Sequence, residues 1–140
     1  MRVRCLENDL ARLAKDPGLT AAIATIYPRR DEPLDLQIGT EYIVFAIAHT
    51  LDVDWFYVFD DPSDDYPRWF PRALFDVVDT TLPPDWLDLP LGRTDGLVAA
   101  PRVWANTPRF YERLVDGDSD VLIAFRAMKL ALESADRRAR

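Results

Sequence analysis

The chain has almost none of the residues on which the familiar reactive centres depend. It contains one cysteine, Cys5, and one histidine, His49, among 140 residues. A single cysteine excludes an intramolecular disulfide and any zinc site built from several cysteines. Nucleophilic catalysis usually needs a serine, threonine or cysteine beside a histidine, and no glycine-flanked serine accompanies His49. We therefore predict that Cys5 is a small buried hydrophobe, and that His49 is a strand-end or partly buried residue without a catalytic role.

Glycine and long apolar runs are also scarce. The five glycines are not clustered, so neither a phosphate-binding loop nor a dinucleotide fingerprint can be drawn. The longest apolar stretch, YIVFAIAHTL, is about half as long as a membrane-spanning helix must be, and no apolar run follows the amino-terminal arginines. These features predict a cytoplasmic protein that needs no cofactor and has no membrane partner.

The charge of the chain is acidic and unevenly distributed. The formal net charge is −7. Ten aspartates and only two basic residues lie between Asp52 and Asp88, whereas residues 1–30 carry six basic and three acidic side chains. A middle third of this sign repels phosphate, so direct binding of nucleic acid is not expected. The same charge attracts and steers a cationic partner.

The pattern of apolar residues predicts one domain, residues 1–140, of the α+β class. Alternating, β-branched and aromatic residues predict strands at RVRC, RALFDVVDT and DGLVAAP, and a β-hairpin made by EYIVFAIAHTL and DVDWFYVFDD. We expect these strands to form a small, strongly bent antiparallel sheet with packed helices.

Helices are predicted near the amino terminus and in the carboxy-terminal third of the chain, where NTPRFYERLVDGD should form a helix that is capped by Thr107 and ended by Gly117. An insertion at about residues 9–30 should hold two short helices capped by Asn8 and Thr20, the first of them stopped by Pro17-Gly18. A carboxy-terminal helix should begin at Ser119 and end near Asp136, and its apolar face should bury Leu122, Phe125, Met128 and Leu132. We expect the tail, about residues 136–140, to be disordered.

The stretch DWFYVFDDPSDDYPRWF, residues 54–70, contains five aspartates and seven aromatic side chains. DDPSDD has a proline where a readable calcium loop needs its glycine, and it lacks the terminal glutamate, so we predict no metal site. Paired carboxylates could perform acid and base chemistry only if they faced each other across a cleft. The DDPSDD aspartates are therefore either a solvated turn or part of a surface that binds a partner.

The aromatic residues beside these aspartates favour a binding surface. In a strand, Trp55, Tyr57 and Phe59 share one face, and Phe56 and Val58 share the other, so both faces are apolar. Either other elements cover both faces, or an aromatic patch rimmed by aspartates is left for a partner. The predicted partner-binding residues are Asp52, Asp54, Asp60, Asp61, Asp64, Asp65, Tyr66 and Trp69.

Five segments occur along the chain in a characteristic order. They are RVRCLEN, LQIGTEYIVFAI, WFYVFDD, YPRWFPRALFDVVDTTLPPDW and PRFYERLVDGDSDVLIAFRAM. This order resembles that of small bacterial immunity proteins encoded beside contact-dependent or polymorphic toxins, although the insertion at residues 9–30 is not expected in the shortest relatives. The resemblance implies a non-enzymatic protein that binds and neutralises the carboxy-terminal domain of a cognate toxin, often a basic nuclease. A small aspartate-based hydrolase and a structural or regulatory interaction module are the alternatives.

Overall fold

The computed structural model describes residues 1–13, 16–26 and 33–139. These residues form eight strands and four α-helices, together with 3₁₀ turns at Leu10–Leu13 and Arg72–Leu74. The strands are β1 (Arg2–Cys5), β2 (Glu41–Ile43), β3 (Ala46–Thr50), β4 (Val53–Val58), β5 (Arg68–Pro71), β6 (Phe75–Asp79), β7 (Trp86–Asp88) and β8 (Leu97–Pro101). The helices are α1 (Pro17–Ile26), α2 (Arg102–Asn106), α3 (Phe110–Val115) and α4 (Ser119–Ala139).

The strands make two antiparallel sheets. One sheet has the order β2-β1-β6 and the other the order β5-β4-β3-β8-β7. The predicted α+β class, with antiparallel strands and a carboxy-terminal helix, is confirmed. The first strand of the predicted hairpin is divided between the sheets, because the Val44 N–H donates to the Met1 carbonyl and the Phe45 N–H donates to the Tyr57 carbonyl. The chain therefore crosses from the small sheet to the large one at these two residues.

Both faces of β4 are covered. Trp55, Tyr57 and Phe59 pack in an apolar cluster with residues of α2, α3 and α4. Phe56 and Val58 pack in a second cluster with residues of β1 and β6. The alternation predicted for this strand is confirmed, and other elements cover both apolar faces, so β4 itself leaves no aromatic patch at the surface. Cys5 is buried in the second cluster, as predicted.

The helical insertion near the amino terminus differs from the prediction. Among the described residues between Asn8 and Pro17, only a 3₁₀ turn forms, and Pro17 begins α1 instead of ending a helix. The Gly18 N–H donates to Asp16 Oδ1 at 2.9 Å, so Asp16 takes the capping role that was predicted for Thr20. Proline is well tolerated in the first turn of a helix, where its missing N–H has no intrahelical partner to lose. Residues 14–15 and 27–30 of the predicted insertion lie outside the described ranges.

Helix α4 begins at Ser119 as predicted, but it runs to Ala139. The prediction of a disordered tail is therefore wrong for residues 136–139, while Arg140 lies outside the described residues. The last turn of the helix is held because Asp136 pairs with Arg2 Nε at 3.0 Å.

The buried face of α4 was predicted nearly correctly. Phe125, Met128 and Leu132 are buried, whereas Leu122 is only partly buried and Val121 takes its place in the core. None of the helices in the described part of the chain has both the length and the apolar character to cross a membrane.

Candidate functional site

The structure separates the predicted partner-binding residues into two groups. Asp52 directly precedes β4, Asp54 is the second residue of that strand, and Asp60 follows its end. Six residues of extended chain at about 3.3 Å each place Asp54 and Asp60 about 20 Å apart. The eight residues predicted as one surface therefore belong to two sites at opposite ends of a strand.

Residues 60–66, named here the acidic turn, are fixed by their own hydrogen bonds. Asp61 Oδ1 accepts from the Ser63 N–H at 2.9 Å and from the Ser63 hydroxyl at 2.7 Å. The Asp64 N–H donates to the Asp61 carbonyl. The hydrogen bonds from Ser63 lower the pKa of Asp61 below its ordinary value. The turn thus has a defined conformation that depends on an ionised Asp61.

The acidic turn is also attached to helix α3. The Tyr111 hydroxyl donates to the Pro67 carbonyl at 2.7 Å. The Tyr66 and Tyr111 rings meet edge to face, with their centroids 6.2 Å apart. Burial raises the pKa of Tyr111 far above its ordinary value, so this hydroxyl keeps its proton and remains a donor. The end of the turn is therefore held against the helical layer.

Two arginines lie beside the acidic turn. Arg68 is 3.8 Å from Asp60 and 4.0 Å from Asp64, measured between nitrogen and carboxylate oxygen. Arg126 of α4 is 3.5 Å from Asp65. Four carboxylates face two guanidinium groups, so an excess of negative charge remains. Asp61 and Asp65 are exposed and Asp64 is partly exposed.

Asp60 cannot belong to a contact surface. Its side chain is only 4% exposed, and its Oδ1 atom has no hydrogen-bond partner within the described residues. Burial raises the pKa of Asp60, although the charge of Arg68 opposes the shift. Sequence alone gives no sign of this difference between Asp60 and Asp61, because both stand in the same acidic run.

Asp60 and Asp61 should therefore affect stability with opposite dependences on pH. Because the pKa of Asp60 is raised, its contribution lowers the free energy of unfolding as the pH rises above 3.8. The free energy of unfolding stays lowered by this amount at pH values above the raised pKa. Asp61 has a lowered pKa, so its stabilising contribution is present above 3.8 and is lost as the pH falls through the lowered value.

Melting temperatures measured from about pH 2.5 to pH 7 test this difference. Relative to the unsubstituted protein, Asp60→Asn should become more stable as the pH rises, whereas Asp61→Asn should become less stable. The same trend in both variants would contradict the assigned environments.

The other end of β4 carries a hydrogen-bonded pair. His49 Nδ1 lies 2.8 Å from Asp54 Oδ1, and Arg72 is 3.8 Å from the other oxygen of Asp54. The His49 side chain is 36% exposed, and His49 is the next-to-last residue of strand β3. The predicted location at a strand end is therefore confirmed. Asp52 lies in the hairpin turn itself with φ of 58°. His49 and Asp54 are directly opposite each other on β3 and β4, so their hydrogen bond links the two strands of the hairpin.

An aromatic pocket of about 240 Å³ was not predicted from the sequence. Its aromatic rings come from β4, β5, α2 and α3, and they are those of Tyr57, Trp69, Trp104, Phe110 and Tyr111. Only the proximity of Tyr57 and Trp69 could be inferred from strand pairing. The remaining rings come from segments more than 30 positions further along the chain, which only the fold brings together.

The described residues contain no group of three or more histidine, cysteine, aspartate or glutamate side chains arranged to hold a metal ion. The absence of a metal requirement stays a prediction. Comparisons of the chain with protein-family models, with curated proteins and with solved structures find no match.

Proposed function

We propose that this chain is a non-enzymatic, cytoplasmic immunity protein that binds a basic toxin domain through its acidic turn and so neutralises the toxin. The observation that carries the proposal is the conformation of the turn. The hydrogen bonds from Ser63 to Asp61 and from Tyr111 to Pro67 order the backbone that carries the carboxylates of Asp61, Asp64 and Asp65. A turn that served only for solubility would not need this attachment.

A fixed cluster of negative charge favours a basic partner in two ways. Its field accelerates the encounter, and complementary charges align the two proteins. Because the turn is already ordered, binding loses less conformational entropy than it would with a flexible loop. A nuclease domain, whose active site attracts phosphate, presents the complementary charge.

The aromatic residues of the predicted surface contribute less than their number suggests. Tyr66 and Trp69 are both partly buried against the helical layer, and Trp69 packs on Trp55 and Tyr57 with centroid distances of 5.1 and 5.8 Å. These rings thus pack mainly against other residues of the protein. The carboxylates are therefore the groups that a partner meets first.

Substitution of Asp61, Asp64 and Asp65 by asparagine tests the proposal. The triple variant should associate with the toxin domain encoded beside its gene roughly tenfold more slowly at low salt, because the local field is removed. The dependence of the association rate on salt should also become weaker. The measurement is stopped-flow or surface-based association kinetics across a salt series.

A matched control separates local charge from net charge. Asp76, Asp85 and Asp88 are exposed and lie away from the acidic turn. Replacing them by asparagine therefore removes an equal number of negative charges, three, from another part of the surface. This control should change the association rate by no more than about twofold. Equal effects of the two triple variants, or no effect of the first, would contradict binding at the acidic turn.

A further inference from the structure

The aromatic pocket lies between the edge of the large sheet and helices α2 and α3. Tyr57 and Trp104 are buried and form its floor, and Trp69 and Tyr111 are partly exposed and form its walls. The Tyr57 and Trp69 rings are stacked at 5.8 Å, and the Trp104 and Tyr111 rings are stacked at 5.9 Å. A cavity of about 240 Å³ is the size of one large side chain.

Two carboxylates stand at the rim of the pocket. Asp95 is held by Arg93 through two hydrogen bonds of 3.0 and 2.8 Å, so its charge is already compensated. Glu112 accepts a hydrogen bond of 2.7 Å from Arg109 Nε, and both side chains are well exposed, at 65% and 71%. An ion pair this exposed contributes little to stability, so it exchanges partners at little cost.

Arg109 has an unusual backbone. It adopts the left-handed conformation with φ of 55° and ψ of 34°, which is uncommon for a residue other than glycine. Residues held in such conformations cluster at binding sites, where the surrounding structure keeps them in place. Here the conformation brings the chain's own guanidinium group to the mouth of the pocket, against Glu112.

We propose that the aromatic pocket binds a guanidinium group, and that the occupant is an arginine side chain of the basic partner. A guanidinium ion is planar and weakly hydrated, and it stacks on aromatic faces, whose π-electrons attract cations. Glu112 would then exchange Arg109 for the incoming arginine and form a hydrogen-bonded ion pair with it. An anion would face aromatic rings and the carboxylates of Asp95 and Glu112, with Arg109 as the one cationic residue of the lining. An apolar group would desolvate Glu112 without a hydrogen bond.

The identity of this occupant rests on the function proposed above. The pocket and the acidic turn are neighbours, because Tyr111 lines the pocket and also binds Pro67 and Tyr66 at the end of the turn. Long-range charge mainly sets association rates, whereas a side chain buried in an aromatic pocket mainly sets dissociation rates. The acidic turn would attract the partner and the pocket would retain it.

The pocket can be tested without the partner, with N-acetyl-L-arginine amide as the probe. The chain has four tryptophans, so its indole N–H signals give a simple two-dimensional NMR spectrum. Saturable shifts of the Trp69 and Trp104 signals are expected, with a dissociation constant of about 10 mM, while Trp86 in the other apolar cluster should not respond. N-acetyl-L-citrulline amide, which has nearly the same shape and no charge, should bind at least about fivefold more weakly.

Substitutions in the wall and at the rim of the pocket test the role of each residue. Glu112→Gln should weaken probe binding severalfold, and Trp69→Leu should abolish it. Arg109→Gly removes the competing guanidinium and suits the left-handed backbone, so it should strengthen binding. Glu133→Gln on α4, remote from the pocket, is the matched control and should change nothing. Equal binding of the citrulline probe, or an unchanged affinity in folded Glu112→Gln, would overturn the proposal.

Kinetics with the toxin domain separate this proposal from the proposed function. Glu112→Gln and Trp69→Leu should raise the dissociation rate about tenfold and leave the association rate nearly unchanged, the opposite of the acidic-turn variant. If the probe binds but no basic toxin domain does, guanidinium binding by the pocket is supported and the proposed function is contradicted. If the acidic-turn variant behaves as expected and these two variants dissociate normally, the proposed function stands and the pocket proposal fails.

Discussion

Replacement of Phe125 by alanine is expected to lower the free energy of unfolding by about 3–5 kcal/mol. Phe125 is 1% exposed and lies where α4 meets the large sheet. Its ring is within 6.3 Å of four other aromatic rings, measured between centroids, and these belong to Phe45, Phe59, Trp104 and Phe110. Because these rings come from three other parts of the chain, they cannot all move to fill the space that alanine would leave.

Ile123 provides the control for this prediction. It is on the same helix, two residues away, and it is 66% exposed. Ile123→Ala should change the free energy of unfolding by no more than about 0.5 kcal/mol, since surface substitutions rarely do more. Urea unfolding of the two variants gives both values. A loss below about 1 kcal/mol for Phe125→Ala would mean that α4 is peripheral to the fold.

The strands were predictable from sequence because their side chains alternate. β1 has buried Val3 and Cys5 between partly exposed Arg2 and Arg4, as its sequence indicates. β4 was more ambiguous because both of its faces are apolar, and only the fold shows that a second sheet covers one of them. The division of the predicted hairpin at Val44 and Phe45 was not predictable, since this apolar segment has no proline or glycine to mark the change of sheet.

The sequence patterns that led to wrong or incomplete predictions were those that are compatible with two different local structures. Proline followed by glycine can end a helix, but proline also suits the first turn of one, and Asp16 before it supplies the cap. In the same way, the acidic run indicated carboxylates without indicating which were exposed. Asp60 is buried beside Arg68 while Asp61 binds Ser63, a difference that depends on the packing of the turn against the rest of the protein.

Arg2 lies close to carboxylates from three other elements of the fold. Its guanidinium group is 2.7 Å from Glu41 of β2 and 3.0 Å from Asp136 of α4, and 4.0 Å from Asp79 of β6. The side chain is only 18% exposed, and that of Asp136 is 15% exposed. The Arg2 guanidinium group therefore links the small sheet to the last helix, in a place that water reaches poorly.

Replacement of Arg2 by methionine should lower the free energy of unfolding by about 2–4 kcal/mol. Removal of Arg2 takes away the guanidinium group with which the poorly exposed Asp136 pairs, and partial exposure of Glu41 and Asp79 moderates the cost. Arg4→Met is the matched control, since Arg4 is on the same strand but is 42% exposed and lies 3.7 Å from Glu41. It should cost less than about 1 kcal/mol.

A second substitution distinguishes the lost charge from lost packing. In the double variant Arg2→Met with Asp136→Asn, the helix no longer carries the carboxylate that pairs with Arg2, so part of the loss should be recovered. The coupling free energy between the two positions, measured by urea unfolding in a double-mutant cycle, should be about 1–2 kcal/mol. If the two losses were simply additive, the effect of Arg2 would come from its packing against the neighbouring strands, and the last turn of α4 would be held by its apolar face alone.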